Sequence, residues 1–198
     1  RIRPARQQQR SLRAMIHQLP ADVRWALRDI TVSDNGVVIA QALRDGTAVA
    51  VSDGSFNDKF RTAAWVIEGR RADGRVEGQC IIPGGPEDQS AYRSKLGGLY
   101  TIAAMVQVIC ELHNIQEGSI EVTCDGMNAL AQVGEADPII RPNGAQYDII
   151  AATQAKIKRT NIQWKMRHVM GHQDDTQGCT VMDRWETLNC MMDERAKQ

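Results

Sequence analysis

The chain has 198 residues, of which 42% are apolar and 24% charged, with 24 basic and 24 acidic side chains. These values predict an ordinary globular chain with a substantial core, one domain plus an appendage, and a zero net charge removes global charge as a sign of a nucleic-acid partner. No apolar run reaches the roughly 18 residues a membrane helix needs, and the first residues lack the apolar core of a signal peptide.

The five cysteines (Cys80, Cys110, Cys124, Cys179 and Cys190) are odd in number, scattered and without Cys-x-x-Cys spacing. That pattern argues against a disulfide framework or zinc site and predicts reduced thiols in an intracellular chain, cytoplasmic or nuclear, with no membrane partner.

Residues 1–45 are expected to form a basic N-terminal extension or linker with short helices. Arg1, Arg3, Arg6, Arg10 and Arg13 precede the first acid, a leader that attracts phosphate or is simply solvated. With no initiating methionine, the segment is expected to have been cut from something longer. Ser11 is placed to cap a short helix ending before Pro20, and residues 21–28 have a helical look. Asp34-Asn35-Gly36 is a turn, and residues 37–43 fit a strand or a helix equally.

Residues 46–198 are expected to form the main domain. Strands are predicted over 49–52, 63–68 and 75–82, joined by short polar turns into an antiparallel meander that Pro83-Gly84-Gly85-Pro86 ends. A long helix follows over 88–113, its stripe running through Leu96, Leu99, Ala103, Val106 and Cys110. Lys95 borders that stripe, which turns its charge towards the interior. A fourth strand over 120–124 ends at Asp125-Gly126, and helices are predicted over 127–133 and 144–159. The fifth strand, 162–168, carries Gln163, Lys165 and Arg167 on one face. A polar loop with His172, Asp174 and Asp175 precedes a final helix over 183–197. A meander followed by strand–helix–strand units predicts an α/β fold: a five-stranded mixed sheet, three strands antiparallel and two parallel, with helices on both faces.

Taken singly, the acids in this pattern are bland. Asp53 in Val51-Ser52-Asp53-Gly54 reads as a turn residue, Asp125 as a helix cap and Asp193 as a surface charge. Taken together they are not. Asp53-Gly54-Ser55, Tyr92-Arg93-Ser94-Lys95-Leu96, Asp125, Gly171-His172-Gln173-Asp174-Asp175 and Asn189-Cys190-Met191-Met192-Asp193 follow one another on successive elements. In that order they resemble type 1 ribonuclease H domains, of the kind found in retroelement reverse transcriptase polyproteins, over residues 47–197.

The resemblance implies a ribonuclease H-like fold and metal-dependent hydrolysis of the RNA strand of RNA–DNA hybrids. It implies Asp53, Asp125 and Asp193 as metal-binding carboxylates for two Mg2+ (or Mn2+) ions, and His172 as a mobile histidine assisting product release. It also implies nucleic-acid contacts from Ser55 and Asn128. Lys165 and Arg167 on the fifth strand, with Lys156, Lys158 and Arg159, are candidates for contacts to the nucleic-acid backbone or for a solvated basic face. An upstream reverse transcriptase domain is the partner implied in the same polyprotein.

The family's fourth carboxylate, a Glu, falls at Lys95. Two-metal hydrolysis needs oxygen ligands that nearly balance two dications. An ammonium in place of one carboxylate changes the site charge from minus four to minus two. At about 4 Å and an effective dielectric of 20, it attracts an acid by about 4 kcal/mol. Lys95 is therefore expected to neutralise Asp53 or Asp125 and to impair the nuclease, leaving a catalytically inactive module that binds hybrid as the alternative. Strand transfer of the integrase or transposase type ranks lower, because Glu135 comes too early and Glu186 too late for that family's last acid.

Overall fold

The computed structural model describes residues 10–56, 60–70, 74–88, 90–134, 144–170 and 183–198. The strands are β1 (Asp29–Val32), β2 (Ala48–Phe56), β3 (Arg61–Glu68), β4 (Val76–Ile81), β5 (Ser119–Cys124) and β6 (Gln163–His168). The helices are α1 (Leu12–His17), α2 (Ala21–Arg24), α3 (Val37–Asp45), α4 (Ala91–Leu112), α5 (Met127–Gly134), α6 (Tyr147–Lys158) and α7 (Arg184–Lys197), with 3-10 turns at Trp25–Leu27 and Pro86–Asp88.

All the strands join one sheet in the order β1-β4-β3-β2-β5-β6. β2, β3 and β4 form the expected antiparallel meander, while β5 runs parallel to β2 and β6 parallel to β5. The sheet has six strands rather than five. The additional one, β1, pairs antiparallel with β4 from Asp29↔Gln79 to Val32↔Val76. Only four residues long, at the sheet edge and nowhere fully buried, it lacks the apolar run that marks an interior strand.

Residues 37–43, open between strand and helix by sequence, are helical for reasons lying just outside them. The Asp34 carboxylate accepts from the Gly36 and Val38 amides at 2.9 and 3.0 Å and so closes the first turn of α3. At the other end Gly46 takes a left-handed conformation (φ 68°), and Thr47 N–H donates to the Ala42 carbonyl at 2.9 Å.

α4 is the central helix. Ser90 caps it by accepting from the Arg93 amide at 3.0 Å. Every residue from position 96 to 110 is buried. By length and composition alone α4 is long and apolar enough to cross a bilayer, although Thr101 and Gln107 interrupt its apolar run. Its surroundings here are protein, chiefly β2, β3 and α6. Alternation along β2 divides the apolar residues between two layers. Ala48 and Ala50 join the main core with α4, whereas Val49 and Val51, with Ala64 and Val66 of β3, meet Leu188, Met192 and Ala196 of α7. Helices thus cover both faces, as expected. Leu12, Ile16, Leu27, Ile39 and Leu43, all from the first 45 residues, belong to the main core.

Candidate active site

Parallel strands β2 and β5 bring their C-terminal ends together, and α4 begins directly over them. Asp53 continues the Val49, Val51 row of β2 and is only 3% exposed. Asp125 follows the last residue of β5. Ligand chemistry in open α/β sheets gathers at strand ends of this kind.

The first turn of α4 is pressed onto β2. A Cβ added at Gly54 would lie 2.4 Å from the Ser94 carbonyl carbon and 2.7 Å from the Lys95 nitrogen, so only glycine permits this approach. The Ser94 hydroxyl donates to the Ser55 carbonyl at 3.0 Å. Arg93, itself buried, donates to the Pro83 carbonyl at 3.0 Å and to Gln146 Oε1 at 2.6 Å, and pairs with Asp148. These contacts aim Lys95 into the space between the two strand ends.

There the Lys95 ammonium donates to Asp125 Oδ1 and lies 3.6 Å from Asp53 Oδ1, with its side chain 22% exposed. Asp53 Oδ1 also accepts from the Gly54 amide at 2.7 Å. Burial pushes the Asp53 carboxyl up to about 6, the Asp125 charge adds to the rise, and Lys95 and the Gly54 amide oppose it. Burial alone would depress Lys95; its hydrogen bond to Asp125 and the charges of both acids outweigh that and hold it above the usual lysine value. Asp193, next to the buried Met192 on α7, is near enough for its charge to raise Asp53 further, and it pairs with Lys197 at 2.6 Å.

Two divalent ions do not fit this donor set. The Lys95 ammonium occupies the space between Asp53 and Asp125, and a dication brought there would be repelled by it. Among the described residues no group of three or more His, Cys, Asp or Glu side chains is placed to hold a metal ion. The arrangement is suited instead to a fixed internal ion pair joining β2, β5 and α4.

The other predicted site residues are more dispersed. Ser55 is half-buried beside Ser94. Asn128 is exposed in the first turn of α5, lining a cavity of about 370 Å³ with Tyr92, Gln132 and Ile150. Lys165 is exposed on the edge strand β6. Arg167, on the same strand, is committed within the protein: it lies 3.4 Å from both Glu121 and Asp183 and 5.2 Å from the Trp185 ring centre. Lys156 sits over the Tyr100 ring at 5.4 Å. His172, with Asp174 and Asp175, lies outside the described residues.

Sequence reasoning overlooked two contributors. His168 ends β6 and places Nε2 3.1 Å from the Asp125 carbonyl, which accepts from it. The signal available was its register, since His168 pairs with Cys124 at the ends of two parallel strands. In the sequence Arg93 stands out only as part of a motif, because its anchoring partners sit 10 to 55 residues away.

No family model matches the chain, and no curated protein matches it. Solved structures do. A ribonuclease H1 isolated from compost by a metagenomic approach (LC11) superposes with a TM-score of 0.51 and 13% identity, over 77% of this chain and 99% of that one. The ribonuclease H1 of the halophilic archaeon Halobacterium salinarum gives 0.43 and 16%, over 75% and 98%. The N-terminal ribonuclease H domain of a Mycobacterium tuberculosis protein gives 0.43 and 14%, over 75% and 97%. At 13% identity the match to the compost enzyme shows a likeness of fold alone, and that fold is ribonuclease H-like.

Proposed function

We propose that this chain is a ribonuclease H-like domain of the retroelement type that engages RNA–DNA hybrids and hydrolyses them weakly or not at all. The fold supports the substrate class, and one observation carries the loss of activity: the Lys95 ammonium bridges the carboxylates of Asp53, on β2, and Asp125, directly after β5. Hydrolysis of a phosphodiester on this fold calls for Mg2+ or Mn2+ held by oxygen ligands to activate water and steady the leaving oxygen. Asp53, Asp125 and Asp193 are the carboxylates placed for that role, and Lys95 competes for the first two.

What remains to the chain's own residues is recognition. Ser55 is half-buried near the end of β2, Asn128 is exposed just beyond β5, and Lys165 is exposed midway along β6; hydroxyl, amide and ammonium groups suit backbone phosphates and 2′-hydroxyls. The ion pair beneath them favours a module that binds without cutting, attached to a reverse transcriptase domain and working inside the cell, where Cys80, Cys110, Cys124 and Cys190 stay as free thiols.

The test is a hybrid-cleavage assay in Mg2+ with the wild-type chain and Lys95→Glu, alongside binding to the same hybrid across a salt series. The expected outcome is binding that weakens with salt in both, with cleavage detectable chiefly in Lys95→Glu. Equal and robust cleavage by both chains would sink the proposal, as would the absence of hybrid binding at low salt.

A further inference from the structure

We infer that Lys95 is a resident counter-cation standing in for a divalent ion, so that the chain keeps its acidic cluster metal-free and draws no stability from metal at that cluster. This deepens the reading of the site as ribonuclease H-like and rests on it. Repulsion among Asp53, Asp125 and Asp193, close enough for each of the other two charges to be felt at Asp53, has to be relieved by some cation. Here the relief is covalent to the chain. Lys95 serves Asp53 and Asp125, and Lys197 serves Asp193, so three carboxylates meet two ammonium groups.

The place is shaped around the lysine itself and not merely tolerant of it. A Cβ at Gly126 would come within 2.8 Å of Lys95 Cδ, so the backbone just beyond Asp125 leaves room for the side-chain stem. The helix turn carrying Lys95 is anchored by Arg93 and by the Ser94–Ser55 hydrogen bond. A dication arriving from solvent would have to expel an ammonium that already donates to Asp125 and lies 3.6 Å from Asp53, and would gain less than it does at an open acidic cluster. An entering metal is therefore disfavoured by charge and by occupancy together.

Thermal unfolding in EDTA and in millimolar MgCl2 or MnCl2, at matched ionic strength, tests this without reference to cleavage. The wild-type melting temperature is expected to be the same in all three. Lys95→Glu, with the cation removed and a fourth acid added, is expected to melt lower in EDTA. It is expected to recover by roughly 5–10 °C once metal exceeds its dissociation constant about a hundredfold. A metal-induced rise in the wild-type chain that Asp53→Asn abolishes would overturn the inference; a rise that survives Asp53→Asn arises elsewhere and leaves the cluster metal-free. If Lys95→Glu fails to fold in any buffer, Lys95→Met decides: reduced stability is expected, and stability equal to wild type overturns the inference. Hybrid binding measured in EDTA reports separately on the proposed function, since its absence leaves the melting results unchanged.

Discussion

The Arg93 guanidinium grips the Asp148 carboxylate with two parallel hydrogen bonds, of 2.9 and 2.7 Å, although only 4% of the arginine side chain is exposed and 66% of the aspartate's is. The pair joins the first turn of α4 to the first turn of α6. It also holds the Asp148 carboxyl below the usual carboxylate range, chiefly through those hydrogen bonds. Removing Asp148 and removing Arg93 are therefore unequal changes. Arg93→Ala strips the Pro83 carbonyl and Gln146 of their donor and is expected to cost about 2–3 kcal/mol in urea unfolding. Asp148→Ala leaves Arg93 its other two acceptors and is expected to cost less. Arg93→Lys keeps the charge but not the fork, and should fall between them.

Asp53 makes stability depend on pH in an uncommon direction. Its carboxyl is raised from 3.8 to about 6, so between those values the folded chain holds a proton that the unfolded chain has released. The contribution is fully present below about pH 4 and is lost as pH rises through 6, a change of about 2–3 kcal/mol. Glu68 acts oppositely. Burial would raise it, but hydrogen bonds from Arg184 and Arg75 outweigh that and lower it, so its contribution is lost as pH falls below the ordinary carboxylate range. Comparing wild type with Asp53→Asn isolates the first effect. The substitution mimics the protonated acid, and its advantage over wild type should grow between pH 4 and 6 and level off above. Parallel stability profiles for the two chains would rule out a raised carboxyl at position 53.

Close approach at Gly54 predicts a sharp contrast between two glycines. The atoms a new methyl would meet at Gly54 belong to the α4 backbone, 2.4 Å from the Ser94 carbonyl carbon. At Gly85 they belong to the far end of the long Glu87 side chain, 2.3 Å away, rather than to backbone. Gly54→Ala is expected to cost about 2–3 kcal/mol and to push the Lys95 turn off β2, whereas Gly85→Ala should stay within about 0.5 kcal/mol of wild type. Chemical denaturation of both variants checks the pair, and similar costs would mean that α4 does not sit on β2 as described.

How much of this was legible in the sequence follows from where each determinant lies. The β2–β4 meander, α4 and the strand ending at Asp125 announce themselves through local period and punctuation, and the motif order around Asp53, Lys95 and Asp125 pointed to the same fold. β1 did not, because four edge residues with no buried side chain carry no periodic signal. Residues 37–43 were ambiguous because Val37, Val38 and Ile39 suit a strand, while the deciding cap comes from Asp34. Arg167 looks available to a partner in the sequence, but α7 and its capping residue supply Trp185 and Asp183 from more than fifteen residues away. His168 was invisible as a site neighbour because it contacts a backbone carbonyl, which no residue pattern displays.

The unequal division of the apolar layers has a consequence for motion. Asp53 lies on β2 and Asp125 directly after β5, strands that give Ala48, Ala50, Ile120 and Val122 to the main core, whereas Asp193 rides on α7, held by a patch of Val49, Val51, Ala64, Val66, Leu188, Met192 and Ala196. Outside that patch the helix is tethered by polar links, Arg184 to Glu68 and Arg195 to Glu77, each at 2.9 Å. Segments with few apolar contacts open at lower free energy than the whole molecule unfolds. The amides of α7 should accordingly exchange with solvent deuterium sooner than those of α4. During each such opening Asp193 departs from its neighbours while the Lys95 bridge persists, so the acidic cluster breathes at one corner only.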